Sequence, residues 1–311
     1  MSLEADRYTF RCMAEWTEQA ANEQPILIIR DKRESCVLEL LVQQIIHSGK
    51  RLKQRVIDKD LTCIDLNFNL LASIKPGLIV LCPLAVSAEQ VSHVHHFVHL
   101  CEAARINTIL LDDPVLQLPS KYTDYLIPLY FKAVNANYDE IRQRNRKICS
   151  RIKTGKEFVL RNDSGTELYF QRDPEQPVLT ENCSFDHKET LFQLPGGEVF
   201  FAPMPYSAEG KVVVKYGSRE MTVTVEGGYA SFSSGEYKGS LVPLAEFGIG
   251  TNEAHPSLQM LGSYEKKWGT CHLGFGYNRN FGGVFNSPYH FDITLSHYTL
   301  DIDGRRIQFD D

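Results

Sequence analysis

Four carboxylates and two imidazoles lie in the C-terminal part of the sequence, in contexts that otherwise favour burial. Glu198 opens the apolar run of "LPGGEVFFAP", directly after Pro-Gly-Gly, and Glu246 sits inside "LAEFGIGTN". Glu265 and His272 belong to "EKKWGTCHLGFG", and His290 and Asp292 to "YHFDITL". On a strand, residues two apart share a face, so His290 and Asp292 point together while Phe291 and Ile293 turn to the core. An imidazole beside a carboxylate is a typical ligand pair for a zinc-like or iron-like ion. Glycines at 269, 274 and 276 permit close approach by a ligand or another backbone. Taken singly, these residues also read as an exposed strand face, a satisfied core histidine or a strand-end acid. Taken together, they exceed the needs of one tetrahedral structural zinc and suit a carboxylate-rich site with two close divalent ions. Such ions lower the pKa of a bound water near neutral pH.

The elements that must position these residues change in character along the chain. Up to about residue 130, short apolar runs ("PILIIRD", "RLKQRVID", "GLIVLCP", "NTILLDDP") alternate with helical patterns over Glu34–Gly49 and Ser87–Ile106. That alternation predicts a small parallel α/β sheet. No glycine-rich phosphate loop follows any of these strands, which argues against nucleotide binding. Phe131–Lys153 reads as one long polar linking helix. Beyond it, "EFVLRND", "ELYFQRD", "EVFFAP", "KVVVKYG", "MTVTVEGG" and "YHFDITLSHYTLDIDG" are strand-like, with glycine and Asp/Asn turns between them. The expected division is an N-terminal α/β domain with its linking helix at 1–153 and a β-rich metal-binding domain at 154–311.

Composition narrows the function classes. The 311 residues carry a formal net charge of −6, which offers no nucleic-acid footprint. No apolar run is long enough to span a membrane, and no secretory pattern opens the chain, so a cytoplasmic location is expected. Eight scattered cysteines without a Cys-x-x-Cys pair read as thiols in a reducing compartment. His93, His95, His96 and His99 cluster in "SHVHHFVHL" without a complementary carboxylate, and read as a surface helix face.

In their order and wording, "LPGGEVFFAP", "LAEFGIGTN", "EKKWGTCHLGFG" and "NSPYHFD" resemble the thermophilic-type metallo-aminopeptidases, the aminopeptidase T and S group with a leucyl aminopeptidase-like fold. The resemblance is specific over about residues 190–311. It implies Glu198, Glu246, His272, His290 and Asp292 as ligands of two divalent ions (zinc, cobalt or manganese). It makes Glu265 a further ligand or the acid that orients water, with Glu265 or Glu246 shuttling the proton. Tyr277 is the candidate to stabilise a tetrahedral oxyanion, although Arg279 falls nearer the family's tyrosine position. The implied activity is hydrolysis of a peptide or small amide by a two-metal-activated water, in a possible homodimer.

Two other readings stand beside it, because the chain is shorter than those peptidases and only 18 positions separate His272 from His290. The 2,5-dihydroxypyridine dioxygenases resemble the same fold at shorter length. His272, His290 and Asp292 have the two-histidine, one-carboxylate composition of a mononuclear iron(II) site, although the additional glutamates argue against a single iron. The third reading is a peptide-binding protein that has lost turnover.

Overall fold

The computed structural model describes residues 9–11, 24–31, 35–57, 71, 74–82, 97–98, 100–112, 114, 122–183, 190–216, 219–235, 237–258 and 262–309. The chain forms two compact units: residues 1–138, 181–196 and 252–264 in the first, and 139–180, 197–251 and 265–311 in the second.

The first unit is built on a parallel sheet. Strands β1 (Ile26–Asp31), β2 (Leu52–Ile57), β3 (Leu78–Cys82), β4 (Asn107–Leu111) and β8 (Leu191–Leu194) run in the order β2-β1-β3-β4-β8. Ile26 and Ile28 pack into one apolar cluster and Leu27 and Ile29 into another, so β1 is buried on both faces. That explains the unbroken apolar run in its sequence. Helix α1 (Cys36–His47) starts at Ser35, whose hydroxyl accepts from the Leu38 amide. It buries Val37, Leu38, Leu41, Val42 and Ile45 along one stripe.

The contiguous split at 153/154 is replaced by interleaved segments, because β8 pairs with β4 although three strands of the second unit precede it in sequence. The single linking helix is two helices, α2 (Thr123–Val134) and α3 (Tyr138–Ile152). Asn135 leaves helical geometry at φ −97°, ψ 25°, and its amide closes on Phe131 and Ala133. Asparagine favours such a break because its side chain competes for backbone hydrogen bonds. No helix among the described residues is long and apolar enough to cross a membrane. The histidines of "SHVHHFVHL" lie outside the described residues.

The second unit is a large antiparallel sheet. Its main path is β15-β14-β13-β12-β11-β10-β6-β5-β16-β17. The strands are β5 (Glu157–Asn162), β6 (Glu167–Gln171), β10 (Glu209–Tyr216), β11 (Arg219–Glu226), β12 (Tyr229–Phe232), β13 (Leu241–Gly250), β14 (Thr270–Gly276), β15 (His290–Ser296), β16 (Tyr298–Ile302) and β17 (Arg305–Ile307). Strand β9 (Glu198–Phe201) pairs with β13 and with the short β7 (Leu179–Glu181). Only His297, at φ +54°, separates β15 from β16, yet these two strands lie near opposite ends of the path. The sheet must therefore curl round on itself. Phe158, Phe170, Phe201 and Phe247 fill the enclosed core, with ring centroids 5.1 to 6.3 Å apart.

Candidate metal centre

Alternation along four adjacent strands separates core from chemistry. Val199, Phe201, Phe247, Ile249, Cys271, Leu273, Ile293 and Leu295 join the core. Glu198, Glu246, His272, His290 and Asp292 alternate with them and take the opposite face, as a two-residue period requires. Register then sets each of these side chains across from a glycine. Glu198 pairs with Gly250, His272 with Gly248, and His290 with Gly276. Gly274 lies between Glu246 and Asp292.

These glycines supply room for the cluster. A Cβ at Gly248 would lie 2.1 Å from His272 Nε2, and one at Gly274 would lie 2.7 Å from Glu246 Cβ and 2.8 Å from Asp292 Oδ1. The Pro-Gly-Gly before Glu198 has a similar cause. A Cβ on Gly196 would meet Cys183 Sγ at 2.3 Å, while Gly197 has φ +120°, which favours glycine. The turn thereby delivers Glu198 to the start of β9.

The donor atoms converge. His272 Nε2 is 3.2 Å from Glu246 Oε1 and 3.3 Å from Glu198 Oε2. His290 Nε2 is 3.3 Å from Glu246 Oε2 and 3.4 Å from Asp292 Oδ1. Bonds of about 2.1 Å to one cation separate neighbouring donors by roughly 3.0 Å in an octahedron and 3.4 Å in a tetrahedron. The observed spacings of 3.2 to 3.4 Å fall in that range, and equally in that of imidazole–carboxylate hydrogen bonds. Two trios are close enough to hold an ion, Glu198–Glu246–His272 and Glu246–His290–Asp292, with Glu246 common to both. His272 Nδ1 is buried without a hydrogen-bond partner, and Glu198 Oε2 and Asp292 Oδ1 are buried with only the imidazole nitrogens named above facing them, neither in hydrogen-bond geometry. Buried polar atoms are rarely left so without a further ligand. The nitrogen and oxygen donors fit a divalent metal.

His290 Nδ1 donates to the main-chain carbonyl of Tyr277 at 2.7 Å, which turns Nε2 toward the acids. Tyr277 thus bears on the site through its backbone. Glu265 stands on a 3-10 turn, Gly262–Lys266, outside both trios. Sequence reasoning missed Lys266: its Nζ lies 2.6 Å from Glu198 Oε1 and 3.1 Å from Glu265 Oε1. Adjacent lysines in "EKKWGT" give no sign of which one turns inward. Phe281 stands edge-on to His290 at 6.1 Å and to Phe200 at 5.6 Å, forming an aromatic wall beside the acids.

Without a metal, protons take the place of a cation. Burial opposes charge on His272, but the Glu246 hydrogen bond and the neighbouring acids outweigh it and lift its pKa to about 9. Burial likewise opposes charge on His290, and Asp292 overrides it, raising that histidine well above its usual range. Glu246 is held at about 2, because bonds from His272 and His290 overcome the effect of burial. Asp292 is held well below the carboxylate range against burial, chiefly by His290. Glu265 moves the other way. Burial lifts it to about 8, only partly offset by Lys266, so it is protonated at neutral pH and can donate to Asp292.

A pH dependence follows. Ligating imidazoles must be neutral, so a metal displaces protons from His272 and His290. Apparent affinity is expected to rise with pH up to about 9, by up to about tenfold per pH unit for each proton displaced. Calorimetric titration in buffers of different ionisation enthalpy counts those protons. For the metal-free protein, the folded pKa of His272 is about 9 against an ordinary 6.5. The folded state therefore binds more protons between these values. The stability that His272 contributes is complete below pH 6.5 and lost as pH rises through about 9. Melting temperatures of metal-stripped protein should fall across that window.

No protein-family profile matches the sequence, and the curated proteins give no match. Among solved structures, the chain is similar to a 2,5-dihydroxypyridine dioxygenase from Pseudomonas putida KT2440. The TM-score is 0.69 over 96% of this chain and 93% of that one, at 13% sequence identity. Likeness at so low an identity concerns the fold, and it agrees with the α/β unit and the β-rich unit described above.

Proposed function

We propose that the protein is a metal-dependent oxygenase that opens a hydroxylated aromatic ring on a single iron(II). The observation that carries this reading is the meeting of two imidazoles on one carboxylate. His272 Nε2 faces one oxygen of Glu246 and His290 Nε2 the other, with Asp292 beside His290. His272, His290 and an acid, Asp292 or Glu246, would hold the ion; the two imidazoles stand in separate donor trios joined by Glu246, so they would close on it from the two sides of that carboxylate. Iron(II), when bound, supplies one-electron chemistry with dioxygen and the open positions that a two-histidine, one-carboxylate set leaves. The chain's residues do the rest. The Tyr277 carbonyl fixes the His290 ring, Glu265 stands beside Asp292 as a carboxyl that can take up or give a proton, and Phe200 with Phe281 offers an apolar flank for a flat ring. The whole-chain likeness to a dioxygenase supports the choice of chemistry.

A second reading, the two-metal aminopeptidase, is favoured by one specific feature: the two donor trios that share Glu246. The test is anaerobic loading with ferrous iron, followed by oxygen uptake with 2,5-dihydroxypyridine and related ring diols. Oxygen consumed mole for mole with substrate, by the iron form and not the zinc form, is the expected result. Amine release from peptide amides by a zinc, cobalt or manganese form, independent of oxygen, would overturn it in favour of the peptidase.

A further inference from the structure

We infer that Lys266 occupies the place of a second metal ion, so that the centre is built for one divalent cation and one ammonium. This rests on the one-ion reading above and explains the acids that a mononuclear centre does not need. Lys266 is 4% exposed, and a buried ammonium is tolerated only when it is paired and hydrogen-bonded. Its partners are Glu198 and Glu265, at 2.6 and 3.1 Å. Glu198 belongs to the first donor trio, Glu198–Glu246–His272. With one oxygen of Glu198 bonded to the Lys266 ammonium at 2.6 Å, that trio is poorly suited to a further dication. The donors left for the one ion, His272 and His290 with Glu246 and Asp292, have no ammonium bonded to their oxygens among the contacts described.

Local backbone geometry delivers the lysine. The turn that ends at Lys266 is closed by Thr270, whose hydroxyl donates to the Glu265 carbonyl at 3.0 Å. The turn also lies directly against Gly250 of β13, where a Cβ would come within 2.4 Å of the Glu265 carbonyl oxygen and 2.7 Å of the Lys266 carbonyl carbon. Any larger residue at 250 would push the turn, and the ammonium with it, away from Glu198. Gly250 is also the residue paired with Glu198 across the β9–β13 ladder, so one glycine admits both members of the ion pair.

The experiment is a titration of the full metal-stripped chain with cobalt(II), read by bound-metal analysis and by the visible spectrum of the bound ion. The wild type is expected to take one ion per chain. Lys266→Ala, which frees Glu198 and Glu265 and opens space, is expected to take two. Lys266→Met fills that space with an uncharged stem and should remain at one. Glu198→Gln gives an independent arm that does not depend on how well Lys266→Ala folds. It should still hold one ion, with affinity changed by less than about tenfold, below the 10- to 100-fold typical of losing even an orienting partner. A single ion in Lys266→Ala, or loss of the ion in Glu198→Gln, overturns the role of Lys266 and leaves the one-ion reading standing. Two ions in the wild type overturn both.

Discussion

Replacing Glu246 with alanine is expected to empty the centre, with a loss of metal affinity beyond the roughly 10- to 100-fold seen when a residue that merely orients a ligand is removed. Glu246 faces both imidazoles, His272 through one oxygen and His290 through the other, and belongs to both donor trios. Its removal therefore weakens the one-ion and two-ion arrangements alike. The metal-free protein is expected to suffer as well. Glu246 is 6% exposed, and both histidines depend on it for their raised pKa values. Removing one partner of a buried charged pair typically costs about 3–5 kcal/mol. Glu246→Gln separates these effects, because it keeps the volume and one acceptor oxygen while removing the charge. Metal content after gel filtration, with thermal melts of the stripped proteins, provides the readout. Near-normal metal content in both variants would show that the cluster is an ionic network and not a metal centre.

The site was more legible in the sequence than the path of the chain around it. Each of the five converging side chains stood in a short motif where an acid or histidine interrupted an apolar alternation, and alternation is a local property. The His290–Asp292 pair needed nothing beyond the two-residue period of one strand. The pairing of Gly248 with His272 and of Gly274 with Glu246 and Asp292 depends on the register of three consecutive strands joined by long connections, which local pattern leaves open. Lys266 was invisible for another reason. A lysine next to a lysine reads as solvated charge, and only the approach of the turn to Gly250 places this one at 4% exposure. The return of β8 to the parallel sheet was equally hidden. "LFQL" is an ordinary short strand whose destination is set by pairing with β4. Helical propensity persists on both sides of Asn135, so the sequence there looks like one helix, while the break depends on a local cap.

Gly248→Ala is expected to lower metal affinity by about 10- to 100-fold while leaving the fold in place. The added methyl carbon would lie 2.1 Å from His272 Nε2 and 2.2 Å from Cε1, so it competes directly with the nitrogen that faces Glu246. His272 is 1% exposed and has little room to tilt, since the same carbon would also sit 3.0 Å from Nδ1. Gly248 lies in an ordinary strand, outside the positive-φ glycines, so the substitution adds volume without backbone strain. Overpacking of this kind costs roughly 1–3 kcal/mol, and about 1.4 kcal/mol is tenfold in affinity. Gly239→Ala is the matched control: φ there is +82° and nothing lies within 4 Å of the new carbon. It should cost stability, by about 1 kcal/mol for a left-handed residue, and leave metal binding unchanged. If Gly248→Ala binds metal as the wild type does, His272 does not ligate through Nε2. The resident ion would then belong to Glu246, His290 and Asp292 alone, and a two-histidine centre would be excluded.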